Sequence, residues 1–141
     1  MLTINKFALC FCAGLLLAPL PSFGACRLPI PDGGGEGYIS SNANLFGDIV
    51  RVDLPLVTIK NGKTHHLEQV SVSKIGEIYS VYGGDGPLSD LKPGLQVWVW
   101  FEMCKRPAKG IPFAAYFQIF STDPVDRAKI DHQGRIISVP Q

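Results

Sequence analysis

The chain has 141 residues, of which 46% are hydrophobic and 18% are charged, so it is not a disordered polyampholyte. Its formal net charge of +1 excludes a strong overall field that would gather nucleic acid or an anionic membrane surface. The 15 glycines and 11 prolines argue against long helices and favour strands joined by turns.

The first 24 residues are typical of a secretory signal peptide. Lys6 supplies a positive start, residues 7–18 are uncharged and apolar, and the small residues Ser22 and Gly24 precede a cleavage point before Ala25. The apolar run is shorter than the roughly 20 residues that a membrane span needs. We therefore expect an exported protein, periplasmic or secreted, that begins near Ala25 and has no membrane span.

The cysteines point to the same compartment. Cys10 and Cys12 lie inside the predicted leader, which leaves Cys26 and Cys104 as a pair that an oxidising compartment would join in a disulfide. A different interpretation makes Cys26 the acylated first residue of a lipoprotein, because Gly24 and Ala25 precede it. Acylation would leave Cys104 without a partner, so the disulfide is the favoured prediction.

The remainder divides into a Gly/Pro-rich N-terminal arm over residues 25–47 and a strand-rich domain over residues 48–141. Residues 48–60 predict one strand that is interrupted at Pro55, because proline cannot donate to a ladder. Asn61 and Gly62 predict a hairpin turn, after which a return strand extends to residue 82 with a bulge or bend at Gly76.

A second hairpin is predicted where residues 95–104 and 112–121 both alternate. The basic loop 105–111 joins them, one helical turn is expected over residues 123–129, and a short last strand follows. Together these elements predict an all-β fold, a small antiparallel barrel with one short helical turn near the C-terminus. Either an OB-like or an SH3-like barrel fits this order of elements.

The two strands of the second hairpin also suggest a binding surface. One face is a continuous apolar stripe, which includes Val97, Val99, Met103, Phe113 and Phe117. The opposite face offers an aromatic surface with a polar rim, which suits a sugar ring or a peptide side chain. That face consists of Trp98, Trp100, Tyr116, Gln96, Gln118 and Glu102. The alternative is that the N-terminal arm covers it as a second core.

Metal and catalytic sites have little support in the sequence. His65 and His66 are adjacent and point to opposite sides of a strand, and with His132 they have no metal-ligand spacing. Asp85 and Asp90 could offer oxygens to calcium, but no loop consensus surrounds them. We find no nucleophile motif and expect no cofactor.

The sequence therefore predicts an exported, non-catalytic binding protein. Its partner would be another envelope or secreted protein, or a cell-wall polymer, held on the aromatic strand face. A periplasmic metal-handling protein is the alternative, followed by a small hydrolase whose residues converge only in the folded chain.

Overall fold

The computed structural model describes residues 25–30 and 34–138, so the predicted leader lies outside the described residues. Within them the chain forms strands and two short 3-10 turns, Leu88–Asp90 and Glu102–Cys104, which confirms the all-β prediction. The strands are β1 (Leu45–Asp53), β2 (Leu56–Asn61), β3 (Leu67–Ser71), β4 (Glu77–Ser80), β5 (Asp85–Pro87), β6 (Gln96–Phe101), β7 (Ala114–Ile119), β8 (Lys129–Ile130) and β9 (Ile136–Ser138).

Seven of these strands form one mixed sheet, in the order β3-β2-β1-β6-β7-β4-β5. All neighbours are antiparallel except β4 and β7, which run parallel, and β8 pairs with β9 in a small separate sheet. The prediction of a closed antiparallel barrel is wrong for the part of the chain described. The sheet has edges at β3 and β5, and β3 meets the segment before β7 through a single parallel bridge between Ser71 and Phe113.

The first predicted hairpin divides differently from what its sequence suggested. Residues 48–60 are not one bent strand, because the chain reverses at Leu54 and Pro55 and β2 returns along β1. Strand β1 also begins at Leu45, inside the predicted arm. The turn predicted at Asn61 exists as a longer loop, in which the Asn61 side chain accepts hydrogen bonds from the next backbone amides and His65 has a positive φ.

The expected return strand over residues 66–82 is two strands in different places. Strand β3 pairs with β2 as predicted, whereas β4 lies on the far side of the sheet beside β7. Gly76 precedes β4 and is not a bulge within a continuous strand.

The second predicted hairpin is confirmed. Strands β6 and β7 are antiparallel, with Val99 opposite Phe117 and Trp100 opposite Tyr116. An irregularity follows that pair, so that Phe101 faces Ala114. This shift sends Ala114 into the core and leaves Phe113, which the alternation had placed in the core, 39% exposed.

The predicted helical turn over residues 123–129 is wrong, since turns and irregular backbone occupy residues 123–128 and Lys129 begins β8. Two side chains there satisfy the local backbone instead. Ser121 Oγ accepts from the Asp123 amide at 3.0 Å, and Asp123 Oδ1 accepts from the Val125 amide at 2.9 Å. Such local bonds compete with helix formation, which explains the difference.

Each face of the sheet buries its own hydrophobic cluster. The larger cluster contains the apolar stripe of β6 with residues of β1, β2, β3 and β7, Phe101 and Phe117 among its fully buried members. The smaller cluster, on the opposite face, is built on Trp98, Trp100 and Tyr116. All six residues of β6 are therefore buried, whichever way their side chains point.

Candidate functional site

The aromatic face predicted as a binding surface is closed. Trp98, Trp100 and Tyr116 are only 5–6% exposed, so the expectation that they form an open surface is wrong. Gln96 is also buried, and its amide makes two 3.0 Å hydrogen bonds with the backbone of Ala128. The alternative, that this face is a second core, describes the molecule.

Two chain segments cover the aromatic face, and each accepts a hydrogen bond from one of its tryptophans. The Trp100 indole donates to the Ser41 carbonyl of the arm at 2.7 Å, and the Trp98 indole donates to the Gly134 carbonyl at 3.0 Å. Each buried indole N–H thus finds a backbone acceptor, as burial requires. The sequence suggested cover by the arm but not by the segment around β8 and β9.

Tyr116 stacks on Tyr79, with ring centroids 4.6 Å apart and planes within 4°. Burial, with a smaller contribution from the neighbouring Tyr79, raises the pKa of Tyr116 to about 12. The phenol therefore stays protonated at physiological pH and serves as a packed core group.

The two remaining members of the predicted polar rim lie apart. Gln118 is half-buried, and its amide donates to the Ser80 carbonyl at 3.4 Å. Glu102 leaves the strand for the 3-10 turn, where it forms an ion pair with Lys74 at 2.8 Å. The six predicted residues therefore do not make one open site.

An apolar side chain is held in solvent at the turn that ends β6. Met103 is 83% exposed, although the alternation had placed it in the buried stripe. It has a φ of 60° and Cys104 one of 49°, a left-handed conformation that costs non-glycine residues roughly 1–2 kcal/mol each. The structure thus maintains two successive strained residues to direct Met103 outward.

Two connections hold this strained turn. Asn44 Nδ2 donates to the Cys104 carbonyl at 2.8 Å, while Asn44 Oδ1 accepts from the Phe101 amide at 2.8 Å. The predicted disulfide between Cys26 and Cys104 is present, with Cα atoms 5.3 Å apart. Acylation of Cys26 would require the sulfur atom that this disulfide occupies.

Beside the turn lies an open apolar depression of about 440 Å³, which we call the Met103 groove. The Arg106 guanidinium lies 5.3 Å from the Phe101 ring and pairs with Glu68, while Lys74 Nζ lies 4.4 Å from the Phe113 ring. The residues that line the Met103 groove include Phe101, Met103, Lys105, Arg106, Pro107 and Phe113.

The basic loop predicted at residues 105–111 forms one wall of this groove. Residues 105–108 of the loop line the groove, and Lys105 among them is exposed and has no carboxylate partner in the part of the chain that the structure describes. The groove therefore combines an apolar floor with a cationic rim. One feature of the sequence indicates this groove. It is the Lys-Arg-Pro run after Cys104, where the alternation of apolar and polar residues ends.

The candidate metal ligands do not converge. His65 and His66 lie exposed in the β2–β3 loop, and His132 lies in the turn between β8 and β9. Asp85 belongs to β5 and Asp90 to a 3-10 turn. Within residues 25–30 and 34–138 no three His, Cys, Asp or Glu residues are grouped to hold a metal ion.

No family model, curated protein or solved structure matches this chain. In the described residues no helix is long and apolar enough to cross a bilayer. A function is therefore inferred from the chemistry of the surface alone.

Proposed function

We propose that the protein is an exported, non-catalytic binding module that holds a segment of an envelope or secreted protein in the Met103 groove. The observation that carries the proposal is Met103, an apolar side chain held in solvent by strained backbone, a disulfide and Asn44. Strained residues that the surrounding structure over-determines cluster at functional sites. The disulfide fits an oxidising compartment, which supports export.

The chemistry of the groove indicates what the partner presents. Methionine is flexible and polarisable, so it adapts to apolar side chains of different shape. Phe113 supplies exposed apolar surface at the floor, while Lys105 on the rim favours carboxylates. We infer a partner segment with one apolar anchor flanked by Asp or Glu.

We also propose that β1, β2, β3, β6 and β7 form an open OB-like barrel. Strand β1 lies between β2 and β6, and the end of β3 runs parallel to the start of β7, a connectivity that resembles that fold. In OB folds the loop between the last two strands contributes to ligand binding. The corresponding loop here is residues 102–113, which borders the groove.

The groove is tested with Met103→Ala, Phe113→Ala and the double variant, each immobilised to capture proteins from an envelope extract. Val125→Ala is the matched control, because Val125 is exposed to the same 83% outside the groove. We expect a partner whose capture falls with the groove variants, with affinity about tenfold weaker for the double variant, and which Val125→Ala retains. Equal capture of every extract protein by the wild type, by the three groove variants and by Val125→Ala contradicts the proposal.

Export is tested separately by the intact mass of material recovered outside the cytoplasm. We expect a chain that begins near Ala25 and gains two hydrogens on reduction. An added diacylglycerol on Cys26, or retention of the leader in the cytoplasm, contradicts the exported, disulfide-bonded form.

A further inference from the structure

A second surface, remote in sequence from the Met103 groove, presents one exposed aromatic ring. Tyr82 follows β4 and is 68% exposed. Its ring contacts the buried Phe120 edge-on, with centroids 5.5 Å apart and an angle of 65° between the planes. The Ser80 hydroxyl accepts from the Tyr82 amide at 3.2 Å. The ring is therefore supported from one side while most of its area faces solvent.

Polar groups surround this ring in a cavity of about 360 Å³, which we call the Tyr82 pocket. Ser121 Oγ donates to Asp126 Oδ2 at 3.0 Å and accepts from the Asp123 amide at 3.0 Å, so the wall opposite Tyr82 is ordered by its own hydrogen bonds. Among the described residues the Asp126 side chain accepts a hydrogen bond only through Oδ2, so Oδ1 is available as an acceptor. Thr122 adds an exposed hydroxyl to the same wall.

We propose that the Tyr82 pocket binds a neutral pyranose unit of a polysaccharide. A pyranose ring has an apolar C–H face that stacks on an aromatic side chain, while its equatorial hydroxyls point outward near the ring plane and need polar partners. Tyr82 supplies the stacking surface, and Ser121, Thr122 and Asp126 supply acceptors and donors beside it. The carboxylate of Asp126 in the lining repels acidic sugars, because like charges at short range disfavour binding.

This site is independent of the Met103 groove. The two cavities share no lining residue, and one is formed around the end of β7 whereas the other is formed before its start. The same molecule would then contact a polymer at one surface and a protein at the other. Loss of one activity leaves the other intact, so each proposal can fail alone.

The test is a titration of the disulfide-bonded protein with two neutral probes, cellotetraose and tetra-N-acetylchitotetraose, and one acidic probe, tetragalacturonate. Binding is followed by calorimetry and by NMR shifts of the Tyr82, Ser121 and Thr122 amides. We expect at least one neutral tetramer to bind with shifts at these amides, and tetragalacturonate to bind at least about tenfold more weakly.

Variants assign the binding to the pocket. Tyr82→Ala should weaken the affinity for the neutral probe at least about tenfold, whereas Tyr82→Trp should retain that affinity, because stacking needs an aromatic face. Phe113→Ala, which alters the Met103 groove, should leave the affinity for the neutral probe unchanged. Circular dichroism melts confirm that each variant is folded, as the exposure of Tyr82 predicts. Absence of binding by both neutral probes, unaltered binding by Tyr82→Ala, or equally tight binding of tetragalacturonate overturns the proposal.

Discussion

Tyr116 illustrates how burial changes the chemistry of a single side chain. Its pKa is raised from 10.0 to about 12, first by burial and then by Tyr79, so the folded state keeps the phenolic proton when the unfolded state has lost it. The resulting stabilisation is complete below pH 10 and is lost as the pH rises towards the folded pKa. We expect the free energy of unfolding to fall by roughly 1.4 kcal/mol per pH unit from this group between pH 10 and 12.

Tyr116→Phe provides the control, because within the described residues the Tyr116 hydroxyl makes no hydrogen bond that the variant would remove. Urea unfolding of both proteins at a series of alkaline pH values isolates the contribution of Tyr116. The stability of the variant should decline less steeply than that of the wild type over this window. Parallel decline of the two proteins would show that Tyr116 ionises as readily in the folded state as in the unfolded one.

For single residues, the sequence predicted which cysteines pair better than it predicted which side chains are exposed to solvent. The pairing of Cys26 with Cys104 followed from counting the cysteines outside the predicted leader, and the disulfide is present. Trp98 and Trp100 were placed on the correct face, but whether that face is open depends on where two distant segments fold. Met103 was misplaced because alternation continues only as long as the strand does, and the strand ends at Phe101.

Gly47 shows why two neighbouring strands can approach closely. A Cβ atom at this position would lie 2.0 Å from the Lys60 carbonyl oxygen of β2, a backbone atom that cannot move without disturbing the β1–β2 ladder. We expect Gly47→Ala to lower the free energy of unfolding by about 2–3 kcal/mol, measured by urea denaturation.

Gly76→Ala is the matched control for that variant. A Cβ atom at Gly76 meets nothing within 4 Å, and its φ is not positive. Alanine there restricts the unfolded chain and should leave stability unchanged or raise it by up to about 1 kcal/mol. Equal effects at both positions would mean that the close contact between β1 and β2 is not what limits Gly47.

Elements were predictable where one pattern determines them. Strands β6 and β7 both alternate between an apolar face and a face of aromatic and amide side chains, so their pairing and approximate register followed from that alternation and from the single loop between them. Pro55 was misread because a proline inside an apolar run can mark either a bend or a reversal, and local sequence does not distinguish them. The placement of β4 beside β7 depends on a parallel pairing between residues far apart in sequence.

At the scale of the whole described chain, the seven-stranded sheet carries a core on each face, and the disulfide connects the covering arm to the turn that follows β6. Cys26 begins the arm, Ser41 accepts from Trp100, and Cys104 ends the turn after β6. The arm that covers part of the smaller core is thus held by a covalent bond at Cys26 and by the hydrogen bond from Trp100 at Ser41. The strand order predicted from the sequence could not show that the aromatic face is covered, because the covering segments lie outside the central strands.

Reduction of the disulfide should release that cover while the larger core persists. Removing a cross-link that spans 78 residues costs up to about 4–5 kcal/mol in the chain-entropy model, and the arm loses its tether. We expect the reduced protein, and equally a Cys26→Ser/Cys104→Ser variant, to show red-shifted tryptophan emission and faster proteolysis within residues 25–44. The far-ultraviolet strand signal should be retained, because the residues of the larger core need no contact with the arm.

Ser41→Ala is the control, since it changes the arm but keeps the carbonyl acceptor for Trp100 and the disulfide. The tryptophan emission of this variant should match that of the wild type. Unshifted emission after reduction would mean that packing alone holds the arm, and loss of the strand signal would mean that the two cores unfold as one unit.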